Sequence, residues 1–202
     1  IEIPTHGMVY AKEGVLIYFI KRFDRYGKSK KYSVEDFSQL AGKTRDTKYD
    51  YSMERLIVLI DKFCTFPMLE KVKLLNLTLF NFLIGNEDMH LKNYSIISRN
   101  DKIELTPAYD LLNTTIAIKK PIEEIALPLK GKKNNLNKND LIEYLGKERL
   151  GLSGKIIDGI SSRIVEALPK WNELIEISFL SADLKEKYFE LLEKRKHILF
   201  EN

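Results

Sequence analysis

MLEKVKLLNLTLFNFLIGNEDMHLKN, residues 68–93, changes character once, at Gly85. Upstream of it, Leu69, Val72, Leu75, Leu77, Leu79, Phe80, Phe82 and Leu83 place apolar side chains around most of the circumference of a helix from Met68 to Ile84. A helix of that kind lies inside a domain rather than on its surface. Gly85 supplies the residue, tolerant of a left-handed backbone, that commonly ends a helix. Polar and charged residues follow at once: Asn86, Glu87, Asp88, then His90, Lys92 and Asn93. A polar loop braced by a buried helix is what a preorganised site requires.

The flanking sequence supports that loop. Tyr94–Ser98 and Lys102–Leu105 predict a hairpin turning through Arg99-Asn100-Asp101, and Pro107 cannot donate a further ladder bond. The hairpin returns Thr106-Pro107-Ala108-Tyr109-Asp110 toward the loop. Near the start, Val9–Ala11 and Val15–Phe23 read as strands around Lys12-Glu13-Gly14, and the continuous apolar run Val15–Ile20 predicts a buried strand. Ser33 with Asp36 three residues later predicts a capped helix to about Leu40, and Ser52–Lys62 a second helix. Asn137 or Asn139 opens a helix to Tyr144. Leu152–Leu168 is amphipathic and expected to stop at Pro169, and Ser181 caps a last helix to about Phe200. With no internal repeat, low-complexity tract or linker, the expectation is one domain over residues 1–202, α+β and mainly α.

An acid, an Asn five positions on and a second acid seventeen residues beyond it match the demands of metal-dependent phosphoryl transfer. One carboxylate orients the attacking hydroxyl, while an amide oxygen and another carboxylate hold the Mg2+ that neutralises nucleotide phosphates. Asp88 takes the first role in this reading, and Asn93 and Asp110 the second. His90 donates to the transferring phosphate or holds the loop's shape. Lys92 neutralises phosphate or is simply solvated. Protein kinases keep the same five-residue step.

Composition allows this chemistry and excludes others. Hydrophobic residues make up 44% and charged residues 31%, as in an ordinary globular protein. The net charge of +4 and pI near 8.9 describe a mildly basic, solvated surface with no direct nucleic-acid binding expected. Only Lys130–Lys138 forms a local basic run, read as an exposed loop. The single cysteine, Cys64, sits among apolar neighbours as a small hydrophobe and fits a reducing cytoplasm. Zinc fails on inventory, because Cys64, His6, His90 and His197 have no ligand spacing. Asn113-Thr114-Thr115 is formally a glycosylation sequon, discounted because nothing suggests secretion. No apolar run approaches the roughly 18 residues of a membrane span.

Residues 85–95 with 105–110 resemble the C-terminal kinase domain of the HipA family of bacterial serine/threonine kinase toxins. Ile20-Lys21-Arg22-Phe23-Asp24-Arg25 resembles that family's hinge and following segment, and Ala126–Lys133 its later loop. Asp88-Met89-His90 with Asn93 is also, more weakly, similar to the D-R-H-x-x-N loop of phosphoinositide kinases. The resemblance implies a protein-kinase-like C-terminal lobe entered through a short N-terminal hairpin, residues 1–25 being hairpin and hinge. It implies ATP and Mg2+ as cofactors, adenine against the main chain near Lys21 and Phe23, and a ribose contact at Asp24. It implies a cytoplasmic kinase with a protein substrate, such as an aminoacyl-tRNA synthetase, and a DNA-binding antitoxin as partner.

The family's glycine-rich phosphate loop and ATP-binding Lys belong before the hinge, and residues 1–20 contain neither. The expectation is therefore that the N-terminal lobe lies outside this chain or on another polypeptide. A non-catalytic split or truncated pseudokinase is the alternative. Several charge-assisted phosphate contacts, each worth about 1.5–3 kcal/mol, would be missing from residues 1–202 alone. Titration calorimetry should find that this segment binds ATP-Mg2+ at least about a hundredfold more weakly than a protein carrying both lobes. Equal affinities would show that the segment holds a phosphate cradle of its own.

Overall fold

The computed structural model describes residues 1–118 and 121–201. Its organising element is the helix foreseen at Met68–Ile84, which runs from Pro67 to Ile84 (α3) with Pro67 in the first turn, where its missing N–H costs nothing. Leu74, Leu75, Leu79, Phe82 and Leu83 are fully buried along it. Around α3 pack α2 (Met53–Phe63), a π-helical segment (Asn139–Arg149), α4 (Gly154–Glu176) and α5 (Ala182–Lys196). They contribute Leu56 and Ile60, Leu141 and Leu145, Ile157 and Ile160, and Leu192 to one core. Gly146 lets the π-helical segment come close, its absent side chain leaving room for Ile157 and Leu75.

Five short strands precede these helices or lead into them: β1 (His6–Tyr10), β2 (Leu16–Ile20), β3 (Arg25–Tyr26), β4 (Lys30–Lys31) and β5 (Ser33–Asp36). After α3 come β6 (Ser95–Arg99) and β7 (Lys102–Leu105). β1 and β2 pair as an antiparallel hairpin from His6 opposite Ile20 to Tyr10 opposite Leu16. β5, β6 and β7 form an antiparallel sheet in that order, with Asp36 opposite Ser95 and Ile96 opposite Leu105. Asn100 and Asp101, both at positive φ, make the two-residue turn between β6 and β7, the geometry whose twist suits a hairpin. Three hydrogen bonds hold that hairpin on the helices. Thr65 exchanges hydrogen bonds with Ile103, and the buried Glu70 of α3 accepts the Leu105 N–H at 2.8 Å while pairing with Lys73.

Four sequence expectations change. β2 is exposed on both faces, Tyr18 by 58% and Phe19 by 47%, because a sheet of only two strands does not bury both faces of a continuous apolar run. Residues 33–36 are strand rather than helix start. The capping box is shifted three residues: Asp36 accepts the Gln39 N–H and Gln39 returns a bond to the Asp36 N–H, opening α1 (Phe37–Leu40). The helix after Asn137 continues past Tyr144 to Arg149 as a π-helix, with Asn137 Oδ1 accepting the Asp140 N–H at 3.0 Å. Pro169 does not end α4, which runs on to Glu176. Pro169 and Val165 lie on its exposed side, so water can serve the carbonyl that proline leaves unpaired, while Leu168 and Ile175 stay buried.

Other expectations hold. A helix follows Ser52, Ser181 caps α5, and Cys64 is buried, its thiol pushed up to about 12 chiefly by desolvation. In the basic run, Lys132 pairs with Asp140 and Lys133 with Glu123. Among the described residues no helix is long and apolar enough to cross a membrane.

Gly85 ends α3 at φ 75°, and a Cβ there would meet Leu191 at 2.5 Å, Thr115 at 2.8 Å and Asn113 at 3.0 Å. Gly85→Ala therefore combines a left-handed alanine with overpacking and should cost about 2–4 kcal/mol in urea unfolding. A loss below about 0.5 kcal/mol would mean the junction relaxes freely.

Candidate active site

The left-handed turn at Gly85 throws residues 86–93 across the end of α3, and Asn86 fixes their path. It is 1% exposed. Its amide nitrogen donates to Asn81 Oδ1 at 2.9 Å and to the Asp110 carbonyl at 3.0 Å, and its Oδ1 accepts the Asp88 N–H at 3.2 Å. One side chain thus joins the helix, the loop and the segment after β7.

Asp110 sits at φ 58°, an unfavourable conformation for a residue with a Cβ, sustained by this grip on its carbonyl. Its carboxylate accepts from Asn93 Nδ2 at 2.7 Å, and the same nitrogen donates to the Asp88 carbonyl at 3.1 Å. Asp88, Asn93 and Asp110 are therefore brought together. Those two bonds engage the amide nitrogen of Asn93 and leave Oδ1 available as an acceptor. Asn93 Oδ1 and the Asp110 carboxylate are hard oxygen donors, and Mg2+ typically takes one or two carboxylates plus substrate phosphates, so the pair fits that ion. No group of three or more His, Cys, Asp or Glu suited to a metal exists among the described residues.

Asp88 is half-buried and accepts a hydrogen bond at Oδ1 from the Tyr49 hydroxyl. Burial first, then the Asp88 carboxylate, push the Tyr49 phenol up to about 12, so it remains a donor. His90 is buried, its Nε2 lies 2.6 Å from Lys48 Nζ, and its ring meets Tyr49 edge-on at 5.1 Å. Burial and the Lys48 charge hold the imidazole below its usual pKa, so it is neutral and accepts from the ammonium. Of its two sequence-level roles, the geometry favours shaping the loop. The Lys92 side chain is exposed, while its carbonyl accepts the Tyr109 hydroxyl at 2.8 Å.

Among the described residues no hydrogen bond joins the hinge residues to this triad. The Lys21 N–H donates to the Thr5 carbonyl at 2.7 Å, and Asp24 makes a two-pronged pair with Arg22 at 2.8 and 2.6 Å. That N–H and that carboxylate are already engaged. Phe23 stacks on Tyr109, next to Asp110, with ring centroids 5.8 Å apart. A groove lined by Pro4, His6, Tyr18, Ile20, Tyr109 and Asp110 runs between the β1–β2 hairpin and the Asp110 segment.

Lys48, Tyr49 and Asn86 were missed in the sequence. Asn86 could have been found from its place beside Gly85. Lys48 and Tyr49, some forty residues upstream, carry no local signal.

The sequence pattern of the HipA-like C-terminal domain family matches residues 1–171. The putative kinase Y4dM of Sinorhizobium fredii is 44% identical over 98 residues, 47% of this chain and 23% of that protein. The serine/threonine-protein kinase toxin HipA of Shewanella oneidensis is 41% identical over 69 residues, 34% of this chain and 16% of that protein. The matches thus span less than a quarter of these curated relatives. In the solved complex of HipA, HipB and operator DNA from Shewanella oneidensis MR-1, one chain superposes with a TM-score of 0.80 at 22% identity. It covers 99% of this chain and 52% of that one, which shows a shared fold.

Asn86→Ala would orphan Asn81 Oδ1, the Asp110 carbonyl and the Asp88 N–H. Urea unfolding should show a loss of about 1–3 kcal/mol, the penalty for buried polar groups left without partners. An unchanged midpoint would show that the loop is held by other contacts.

Proposed function

The chain belongs to the HipA-like C-terminal domain family, and from that premise we propose that it is the catalytic C-terminal lobe of an ATP-dependent protein serine/threonine kinase from a bacterial toxin–antitoxin system. The observation that carries the reading is the convergence on Asn93, whose amide binds the Asp88 carbonyl at 3.1 Å and the Asp110 carboxylate at 2.7 Å. A hydroxyl-orienting acid and a hard-oxygen pair thereby share one small site.

Each residue has a part in the proposed reaction. With Oδ1 of Asp88 held by Tyr49, Oδ2 is free to accept the proton of a substrate serine or threonine hydroxyl as its oxygen attacks the γ-phosphorus. Asn93 Oδ1 and Asp110 would hold Mg2+, which supplies neutralisation of the phosphate charge. The groove between the hairpin and Tyr109 would take the adenine, with Phe23 at its margin. The paired Asp24 is better suited to anchoring the hinge through Arg22 than to meeting a ribose.

Similarity to HipA, solved with HipB and operator DNA, supports an antitoxin as partner. A cytoplasmic protein substrate, such as an aminoacyl-tRNA synthetase, extends the same reading. The two exposed faces of the β1–β2 hairpin suit a second kinase lobe packed there, and they equally suit the alternative, a partner-binding pseudokinase without turnover.

Asp88→Asn separates these readings. In a protein containing both lobes it should leave stability within about 0.5 kcal/mol, because the amide oxygen can still accept from Tyr49. Transfer of labelled γ-phosphate to protein should fall by roughly two orders of magnitude or more. Transfer retained within a few-fold would remove Asp88 from the role of base. No transfer by the unsubstituted protein would favour the pseudokinase.

A further inference from the structure

Lys48 lies in the loop between α1 and α2, remote in sequence from the residues that converge on Asn93. The loop is tied to the catalytic segment by its backbone, the Lys48 carbonyl accepting the Leu91 N–H at 3.4 Å. The ammonium is placed by two rings: it lies 2.6 Å from His90 Nε2 and 4.9 Å from the centroid of Tyr49, whose hydroxyl holds Asp88. Among the described residues Lys48 forms no ion pair with a carboxylate, and its side chain is only partly buried.

We propose that Lys48 is a catalytic residue that grips the phosphoryl group being transferred, with His90 as the residue that positions it. The inference rests on the kinase reading above and adds to that reading a cation from outside the motif. The site otherwise presents two carboxylates to a polyanionic nucleotide, so it needs fixed positive charge close to the γ-phosphate. A lysine held by a carboxylate would be half-neutralised and would pay to break that pair. Held by an imidazole nitrogen instead, Lys48 has no carboxylate partner, and two of its three N–H donors remain for phosphate oxygens. A second indication is geometric: the His90 N–H donates to the Asp88 carbonyl at 2.8 Å and the His90 carbonyl accepts the Asn93 N–H at 2.9 Å, so the residue that holds Lys48 is bonded to both. Lys92, the lysine that the motif itself offers, is exposed and secured only through its carbonyl.

In the step itself, the acceptor oxygen forms a bond to the γ-phosphorus and its proton passes to Asp88 Oδ2. The bond from the γ-phosphorus to the bridging oxygen breaks, and its electron pair leaves on ADP. Lys48 makes and breaks no covalent bond. It donates hydrogen bonds to the non-bridging oxygens, which bear the charge throughout.

The test uses Lys48→Met and Lys48→Arg in the protein carrying both lobes, with phosphoryl transfer, nucleotide titration and thermal unfolding measured together. Lys48→Met should lower kcat about a hundredfold, as loss of one fixed donor to a charged transition state does. It should change ADP affinity by less than about threefold, abolish the preference for ATP over ADP, and leave Tm nearly unchanged. Lys48→Arg should restore part of both kcat and that preference. A kcat within about threefold of the unsubstituted protein would overturn the proposal. Parallel losses of ATP and ADP affinity with a lowered Tm would overturn it too, by assigning Lys48 a structural role. If the unsubstituted protein binds ATP but transfers no phosphate, the kinase reading alone falls. The nucleotide preference then still decides Lys48, which is refuted if Lys48→Met leaves it intact. If the unsubstituted protein binds no nucleotide, both fall.

Discussion

The carbonyl of Gly85 is where the buried helix meets everything that could act on a substrate. It accepts the N–H groups of Thr114 and Thr115, both at 3.0 Å, and the Thr114 hydroxyl at 3.3 Å. The segment that follows Asp110 is thereby bound to the residue that precedes the loop of residues 86–93. Thr114 Oγ1 also accepts the Glu87 N–H at 2.8 Å, and the Thr115 hydroxyl donates to the Glu87 carboxylate at 2.6 Å. Two loops that would otherwise move independently are joined along one line of hydrogen bonds, and the relative placement of Asp88 and Asp110 follows from that junction.

Helix α3 transmits the rigidity of the core to this junction. Arg195 of α5 is buried beneath its last turn, donates to the Phe82 carbonyl at 2.8 Å and lies over the Phe82 ring at 4.4 Å. A cation at a helix C-terminus meets the negative end of the helix dipole and one of its unpaired carbonyls. Burial pulls the guanidinium below its usual pKa, and Glu124 and Glu87 act in the opposite direction. Glu87 in turn is pushed up, first by its own burial. The last turn of α3, Glu87 of the loop that follows it and α5 are thus electrostatically linked.

The cluster around Asp88 follows a different logic. The Tyr49 hydroxyl donates to one oxygen of Asp88 and leaves the other open, while Lys48 bonds to His90 and both lie against the Tyr49 ring. Lys48 is paired with a ring nitrogen rather than with a carboxylate, so its charge has no anionic partner among the described residues. Similar economy explains Asn93, whose amide nitrogen braces two loop segments while its oxygen stays available.

Much of this was legible locally. The all-round apolar pattern from Met68 to Ile84, the stop at Gly85, the hairpin around Asn100-Asp101 and the spacing of Asp88, Asn93 and Asp110 are short-range patterns, set by helical periodicity, turn chemistry and loop length. The misreadings share a cause. The exposure of β2, the strand at residues 33–36 and the passage of α4 through Pro169 depend on what lies beside each segment, which no local pattern encodes. The same holds for the candidate site. Sequence alone named the acid, the amide and the second acid. Only the tertiary structure, by carrying the loop before α2 onto residues 86–93 through the Lys48–Leu91 backbone bond, decided that Tyr49 would hold Asp88 and that His90 would hold a lysine.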